Sequence, residues 1–252
     1  MLIVGFALAL LVGLAMGLLG AGGSILGVPI FVYLLGFEAK QAIAMSLGVV
    51  GATSLVGAFR HGQLGHVNLR VAVVFAPVAM GGTYLGAHLA MLVSDAAQLA
   101  LFGAVMLAAA LFMVREAETP PAKRRHPAVD AALVVVEALV VGVLTGVVGV
   151  GGGFLIVPVF ILLMGLPVKE AVGTSLLVIA LKSFAGFVGY LGHVDVAWGF
   201  MAGFTAISIV GIWIGAHFVQ RVPPLLIRRG FATLLLVMGV WMLYQNRSVV
   251  GL

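Results

Sequence analysis

Ten apolar runs, almost free of charge, fill this chain. They lie at about 2–19, 23–36, 41–59, 69–93 and 96–114, then at about 128–148, 153–166, 170–190, 196–219 and 225–244. A helix needs about 20 apolar residues to cross the hydrocarbon of a bilayer, and most of these runs are of that size. Water is excluded as the solvent, because 63% of the residues are hydrophobic and only 8% are charged, where a soluble domain carries about 25%. The runs are continuously apolar and do not alternate, which selects helices over a membrane barrel. With no cysteine, a disulfide framework, a thiol nucleophile and a thiolate metal site are all ruled out. Met1 leads straight into an apolar run with no basic stretch before it, so no cleavable leader is expected.

The second and seventh runs are the exceptions. At about 14 residues each they span roughly 21 Å, too short to cross. Each follows a glycine-rich stretch: "GLLGAGGSILGVPIF" from Gly17 to Phe31, and "GVVGVGGGFLIVPVF" from Gly146 to Phe160. The chain is an internal repeat at an offset of 129 residues (Gly20 to Gly149) that slips to 127 (Gly62 to Gly189) and back. "AKQAIAMSL" at Ala39–Leu47 answers "VKEAVGTSL" at Val168–Leu176, and "GQLGHVN" at Gly62–Asn68 answers "GYLGHVD" at Gly189–Asp195. The expected fold is therefore an all-α polytopic membrane protein. It has two homologous halves of four to five transmembrane segments each, eight to ten in all, with short broken helices after the glycine motifs. Residues 1–114 form the first repeat, 115–127 a polar linker and 128–252 the second repeat.

Charge sets the orientation. With five segments per half, one side of the membrane receives Arg60, Arg70, Arg115, Lys123, Arg124, Arg125, Lys169, Arg221, Arg228 and Arg229, and the other only Lys40 and Arg247. Cytosolic connections collect Lys and Arg, so the linker is expected in the cytosol and the second half inverted relative to the first. With four segments per half the split is less lopsided. The net charge of +5 then reports topology and contact with anionic lipid headgroups, not nucleic-acid binding.

Adjacent glycines followed by Val-Pro break a helix and let backbone approach a ligand. The helix that restarts presents free N–H groups and a positive dipole end, which favours an anion. Gly22, Gly23, Ser24, Gly151, Gly152 and Gly153 are candidates for such a site. Gly13, Gly17, Gly142 and Gly146, spaced small-xxx-small, fit close helix packing instead. Two copies of this glycine–Val–Pro element, each followed by A-x-x-x-S-L or A-V-G-T-S-L, resemble the TauE/SafE sulfite exporter family over nearly the whole chain. The resemblance implies export of small sulfur oxyanions or organosulfonates. Two inverted halves are expected to transport by alternating access, across a bacterial cytoplasmic (inner) membrane and with no cofactor.

Polar residues inside the third segment of each half extend the candidate site. Ser175, Lys182, Gly186 and Gly189 share a helical face, as do Ser46, Thr53 and Gly57; Thr174 adjoins the second stripe. Interhelical hydrogen bonding is the plainer use of these hydroxyls. Lys182 differs, because Lys at a bilayer centre costs about 2.5–3.5 kcal/mol on insertion scales. Its charge suits an oxyanion. The resemblance implies a small polar residue at this position, so Lys182 marks a departure within the family. Glu137, near the middle of the sixth run, is a candidate partner for Lys182 or a carrier of a coupling proton. His88 and His217, a repeat pair, are candidates for coupling or gating. No His-x-x-x-His or carboxylate cluster accompanies them, so no metal site is expected. Arg60 and His61 are read as a cytosolic flank. The competing functions are a passive anion channel with the same helix ends, a permease for another small anion or a metal ion, and an intramembrane enzyme. No protease, hydrolase or paired-aspartate motif supports the last of these.

Overall fold

A computed structural model describes residues 2–19, 24–115, 127–148, 153–162, 164–218 and 224–246. These residues form helices α1 (Leu2–Leu19), α2 (Ser24–Leu34), α3 (Ala39–Gln63), α4 (Leu69–Ala90), α5 (Asp95–Arg115), α6 (Pro127–Val148), α7 (Gly153–Leu162), α8 (Val168–Tyr190), α9 (Trp198–Phe218) and α10 (Pro224–Gln245). No strand occurs among the described residues beyond one isolated bridge between Leu191 and Val194. The chain is a polytopic helical membrane protein. By length and composition α3, α4, α8 and α9 each contain a window able to cross a bilayer.

The same local chemistry stops equivalent helices in the two halves. Gly36 and Gly165 follow the short helices with φ of 75° and 65°, and Gly65 and Gly192 follow α3 and α8 with φ of 73° and 84°. Only glycine adopts such angles without a steric penalty. The short helices also end in matching wide turns: Phe37 N–H donates to Phe31 O at 2.9 Å, and Leu166 N–H to Phe160 O at 2.9 Å. Within α2 the helix changes pitch, since Gly27–Pro29 are α-helical and Ile30–Leu34 form a π-turn. An eleven-residue helix is about 16 Å long, roughly half the hydrocarbon thickness. The sequence expectation of short second segments holds.

Packing is organised around α3 and α8. In their apolar windows 78% and 72% of residues are buried, against 39% and 28% for the outer helices α4 and α9. Contacts at glycines fix how the helices run. A Cβ at Gly48 would meet Phe187, one at Gly51 would meet Phe184, and one at Gly57 would meet Leu176, so α3 and α8 are antiparallel. Gly82 and Gly86 of α4 abut Gly142 and Gly146 of α6 in parallel, and Gly211 and Gly215 of α9 abut Gly13 and Gly17 of α1 in parallel. At these seams a side chain on either helix would strike the partner's backbone. The packing reading of Gly13, Gly17, Gly142 and Gly146 is correct. Helix α5 crosses α10 antiparallel, with Gly103 against both Leu243 and Gly239. Each half therefore lends its first helix to the other: α1 lies on α9, and α6 on α4.

Aromatic packing anchors both short helices. Phe31 of α2 meets Phe204 of α9 edge-on at 4.9 Å, and its repeat counterpart Phe160 of α7 meets Phe75 of α4 edge-on at 5.1 Å. Pairs of this geometry add about 0.5–1.5 kcal/mol beyond their area.

Candidate functional site: a buried lysine at a three-helix junction

The Lys182 side chain is completely buried. Its position halfway along α8 turns it toward α6, where the ammonium donates to Thr145 Oγ1 at 3.2 Å. Thr145 in turn donates to Gly142 O at 2.9 Å, one turn back on its own helix. Thr83 of α4 donates to Ala79 O at 2.7 Å, and its oxygen lies 3.4 Å from that of Thr145. With its own proton on Gly142 O, the Thr145 oxygen is free to accept from Lys182. An ammonium has three N–H donors, and Thr145 takes one of them.

The glycine seam is what makes this junction. Gly86 and Gly146 bring α4 and α6 into backbone contact, and a Cβ at Gly186 of α8 would press on Thr83 Cγ2 at 2.7 Å. Neither Thr83 nor Thr145 stood out in the sequence, although each is a hydroxyl three residues from a seam glycine (Gly86 and Gly142).

Lys182 does not pair with Glu137. Their being partners, one of the sequence expectations, is corrected by the lysine's bond to Thr145. Glu137 lies eight residues before Thr145 on α6, about 12 Å along the axis, beyond a lysine anchored at Thr145. Glu137 is half-buried, and its Oε2 is buried without a hydrogen-bond partner.

The remaining candidates occupy different surroundings. Gly22, Gly23, Gly151 and Gly152 lie outside the described residues. Ser24 opens α2 and is buried, and Gly153 opens α7. Ser46 is buried on α3 where α2 crosses it: a Cβ at Gly27 would run into its Oγ, which has no hydrogen-bond partner. Thr53 bonds back to Val49 O, and Ser175 donates to Val172 O at 2.8 Å, each within its own helix. Thr174 Oγ1 accepts Asn68 N–H at 2.8 Å, which pins the α3–α4 connection to α8. His88 and His217 are exposed at the C-terminal ends of α4 and α9, which run in opposite directions. His88 Nδ1 lies 3.0 Å from Tyr84 O. The structure brings neither histidine to Lys182.

His61 requires a correction. It is no solvated flank: only 1% of it is exposed, and neither ring nitrogen has a partner. Its ring lies 6.0 Å from that of His66, whose Nδ1 is likewise unpartnered. Arg60, one residue earlier, is half-buried with its guanidinium 5.3 Å from the Trp213 ring. Tyr190, the last residue of α8, is also buried but bonded, donating to Gly146 O at 3.1 Å. Gln98 of α5 joins it, donating to Val147 O at 2.7 Å. Among the described residues no group of three His, Asp or Glu side chains forms a metal-binding set.

A polytopic helical bundle of long apolar helices, with a lysine buried where three of them meet, is an integral membrane protein. The chain belongs to the sulfite exporter TauE/SafE family, whose model matches residues 5–242. It is 33% identical over 241 residues to a probable membrane transporter protein of Xylella fastidiosa, covering 94% of this chain and 92% of that one. It is 28% identical over 258 residues to a probable membrane transporter protein of Methanocaldococcus jannaschii, covering 96% and 94%. No solved structure matches it. The family and these relatives identify an integral membrane transporter, not an enzyme.

Proposed function

We propose that this transporter carries a small sulfur-containing oxyanion, such as sulfite or an organosulfonate, outward across a bacterial cytoplasmic membrane. The observation that carries this reading is Lys182: a fully buried lysine nitrogen that meets a neutral hydroxyl and no carboxylate. Charge in low dielectric without a counter-ion is costly, so the Lys182 amine takes its charged form when an anion lies beside it, and an anionic substrate supplies that partner. The same charge opposes cations. Ser46, Thr53, Thr174 and Ser175 line the route along α3 and α8, and the glycine motifs around Gly22, Gly23, Ser24, Gly151, Gly152 and Gly153 supply backbone donors. Glu137 is the candidate for a coupling proton, with His88 and His217 in gating roles. Export is the direction carried by the family's name.

In this reading residues 1–114 and 128–252 are inverted repeats, with the linker 115–127 in the cytosol, and they exchange access by moving against one another. Counterpart helices α3 and α8 run antiparallel, as do α5 and α10, which supports an axis lying in the membrane plane. Proteoliposomes loaded with sulfite or methanesulfonate test the function. Saturable efflux, lowered about tenfold or more by Lys182→Gln in protein that still folds, is expected. Efflux no faster than from protein-free vesicles for every sulfur oxyanion tried would sink the reading.

A further inference from the structure

The repeat produces two equivalent three-helix junctions, and they differ in polarity. Gly186 of α8 presses on Thr83 of α4; Gly57 of α3 presses in the same way on Ile212 of α9, where a Cβ would lie 2.6 Å from Cδ1. These contacts are counterparts at the 129-residue offset (Gly57 to Gly186, Thr83 to Ile212). One turn earlier on the central helices stand Thr53 and Lys182, and on the parallel neighbours Met16 and Thr145. The second junction is thus lined by Lys182, Thr145 and Thr83, and the first by Thr53, Met16 and Ile212, all buried. At the first junction the one hydroxyl, that of Thr53, is turned back onto Val49 O. It offers an anion no charge and no free donor.

From this asymmetry we propose that each chain binds a single, singly charged oxyanion at the α4/α6/α8 junction. This deepens the anion-transport reading and rests on it. Two of the three ammonium donors remain for the ligand after Thr145 has taken one, which suits two oxygens of one oxyanion. The charge count sets the valence. Every other Lys and Arg of the chain lies in a connection or near a segment end, so one positive charge faces the ligand. A monoanion makes a neutral buried pair, whereas a dianion leaves a net negative charge in low dielectric. The other buried titratable groups near these walls, Tyr190, whose hydroxyl donates to Gly146 O beside Thr145, and Glu137 on α6, add no positive charge.

Titration calorimetry of the purified protein, with methanesulfonate and sulfate at matched ionic strength and fixed pH, tests the idea. Both probes keep their charge across neutral pH, so valence is the variable. The expected result is one methanesulfonate per chain, bound about tenfold or more tighter than sulfate, and lost on Lys182→Gln. Thr145→Val, which retains the charge, should weaken methanesulfonate by about three- to tenfold. Two equivalents per chain, or sulfate binding as tightly as methanesulfonate, overturns the single-charge site while leaving anion transport standing. Binding of neither, in protein whose melting is cooperative, overturns both.

Discussion

Lys182 reaches Thr145 across the α6–α8 contact at 3.2 Å, and the residue at the Thr145 position in the first half is Met16. A duplicated architecture has thereby become chemically one-sided. The backbone retains matching stops, matching short helices and matching glycine contacts, while one junction alone holds a lysine.

Lys182→Met should separate function from stability. Methionine nearly fills the space of the lysine stem without its charge, and replacing buried ionic groups by apolar ones of similar volume is often neutral or stabilising by about 1–4 kcal/mol. The thermal midpoint in detergent is expected to hold or rise while oxyanion binding disappears. A fall in midpoint of many degrees would mean that the ammonium holds the helices together.

The α4/α6 seam predicts a sharp contrast between two glycines. A methyl at Gly146 would strike Thr83 O and lie 2.8 Å from Ala87 N, both backbone atoms. Gly146→Ala should cost about 1–3 kcal/mol through forced helix separation. Gly81 has no heavy atom within 4 Å of an added Cβ, so Gly81→Ala should be neutral or gain up to about 1 kcal/mol from helix propensity. Parallel denaturant titrations of the two variants measure the difference, and equal midpoints would contradict the close approach.

Tyr190→Phe removes the hydroxyl that donates to Gly146 O and leaves the ring in its buried place. Gln98 keeps its bond to Val147 O, so the loss should be confined to about 0.5–1.5 kcal/mol. A much larger loss in equilibrium unfolding would show that Gln98 and Tyr190 act as one cooperative unit.

The absence of cysteine makes the orientation directly measurable. Gln63 is exposed at the end of α3, Ser94 just before α5, and Asp195 after α8. With the halves inverted, Ser94→Cys and Asp195→Cys should react with a membrane-impermeant maleimide in intact cells. Gln63→Cys should react only after the membrane is opened. Labelling of Gln63→Cys and Asp195→Cys from the same side would refute inversion, because the two sites are near-counterparts in the repeat.

Much of this organisation can be read from residues in order. Apolar run length gives the membrane class and the helices, and the repeat of Gly36 with Gly165 and of Gly65 with Gly192 marks where helices stop. Spacing alone suggested that Gly13, Gly17, Gly142 and Gly146 are packing positions. The partner of Lys182 was not legible. In lipid a helix is apolar on every side, so no polar face reveals which neighbour a residue such as Glu137 or Thr145 turns to. For the same reason His61, beside Arg60, read as flank.

Local stereochemistry and the cost of exposing apolar surface to water act along the chain, so the sequence by itself determined a helical membrane protein with two copies of one helical plan. Which copy touches which was a tertiary decision. Contact between α1 and α9, and between α4 and α6, depends on glycine surfaces far apart in sequence meeting without side chains between them. That approach brings Thr145 against Lys182, with Thr83 behind it, and leaves the equivalent junction without a charged side chain, because hydrogen-bond partners in a bilayer are chosen by proximity in space.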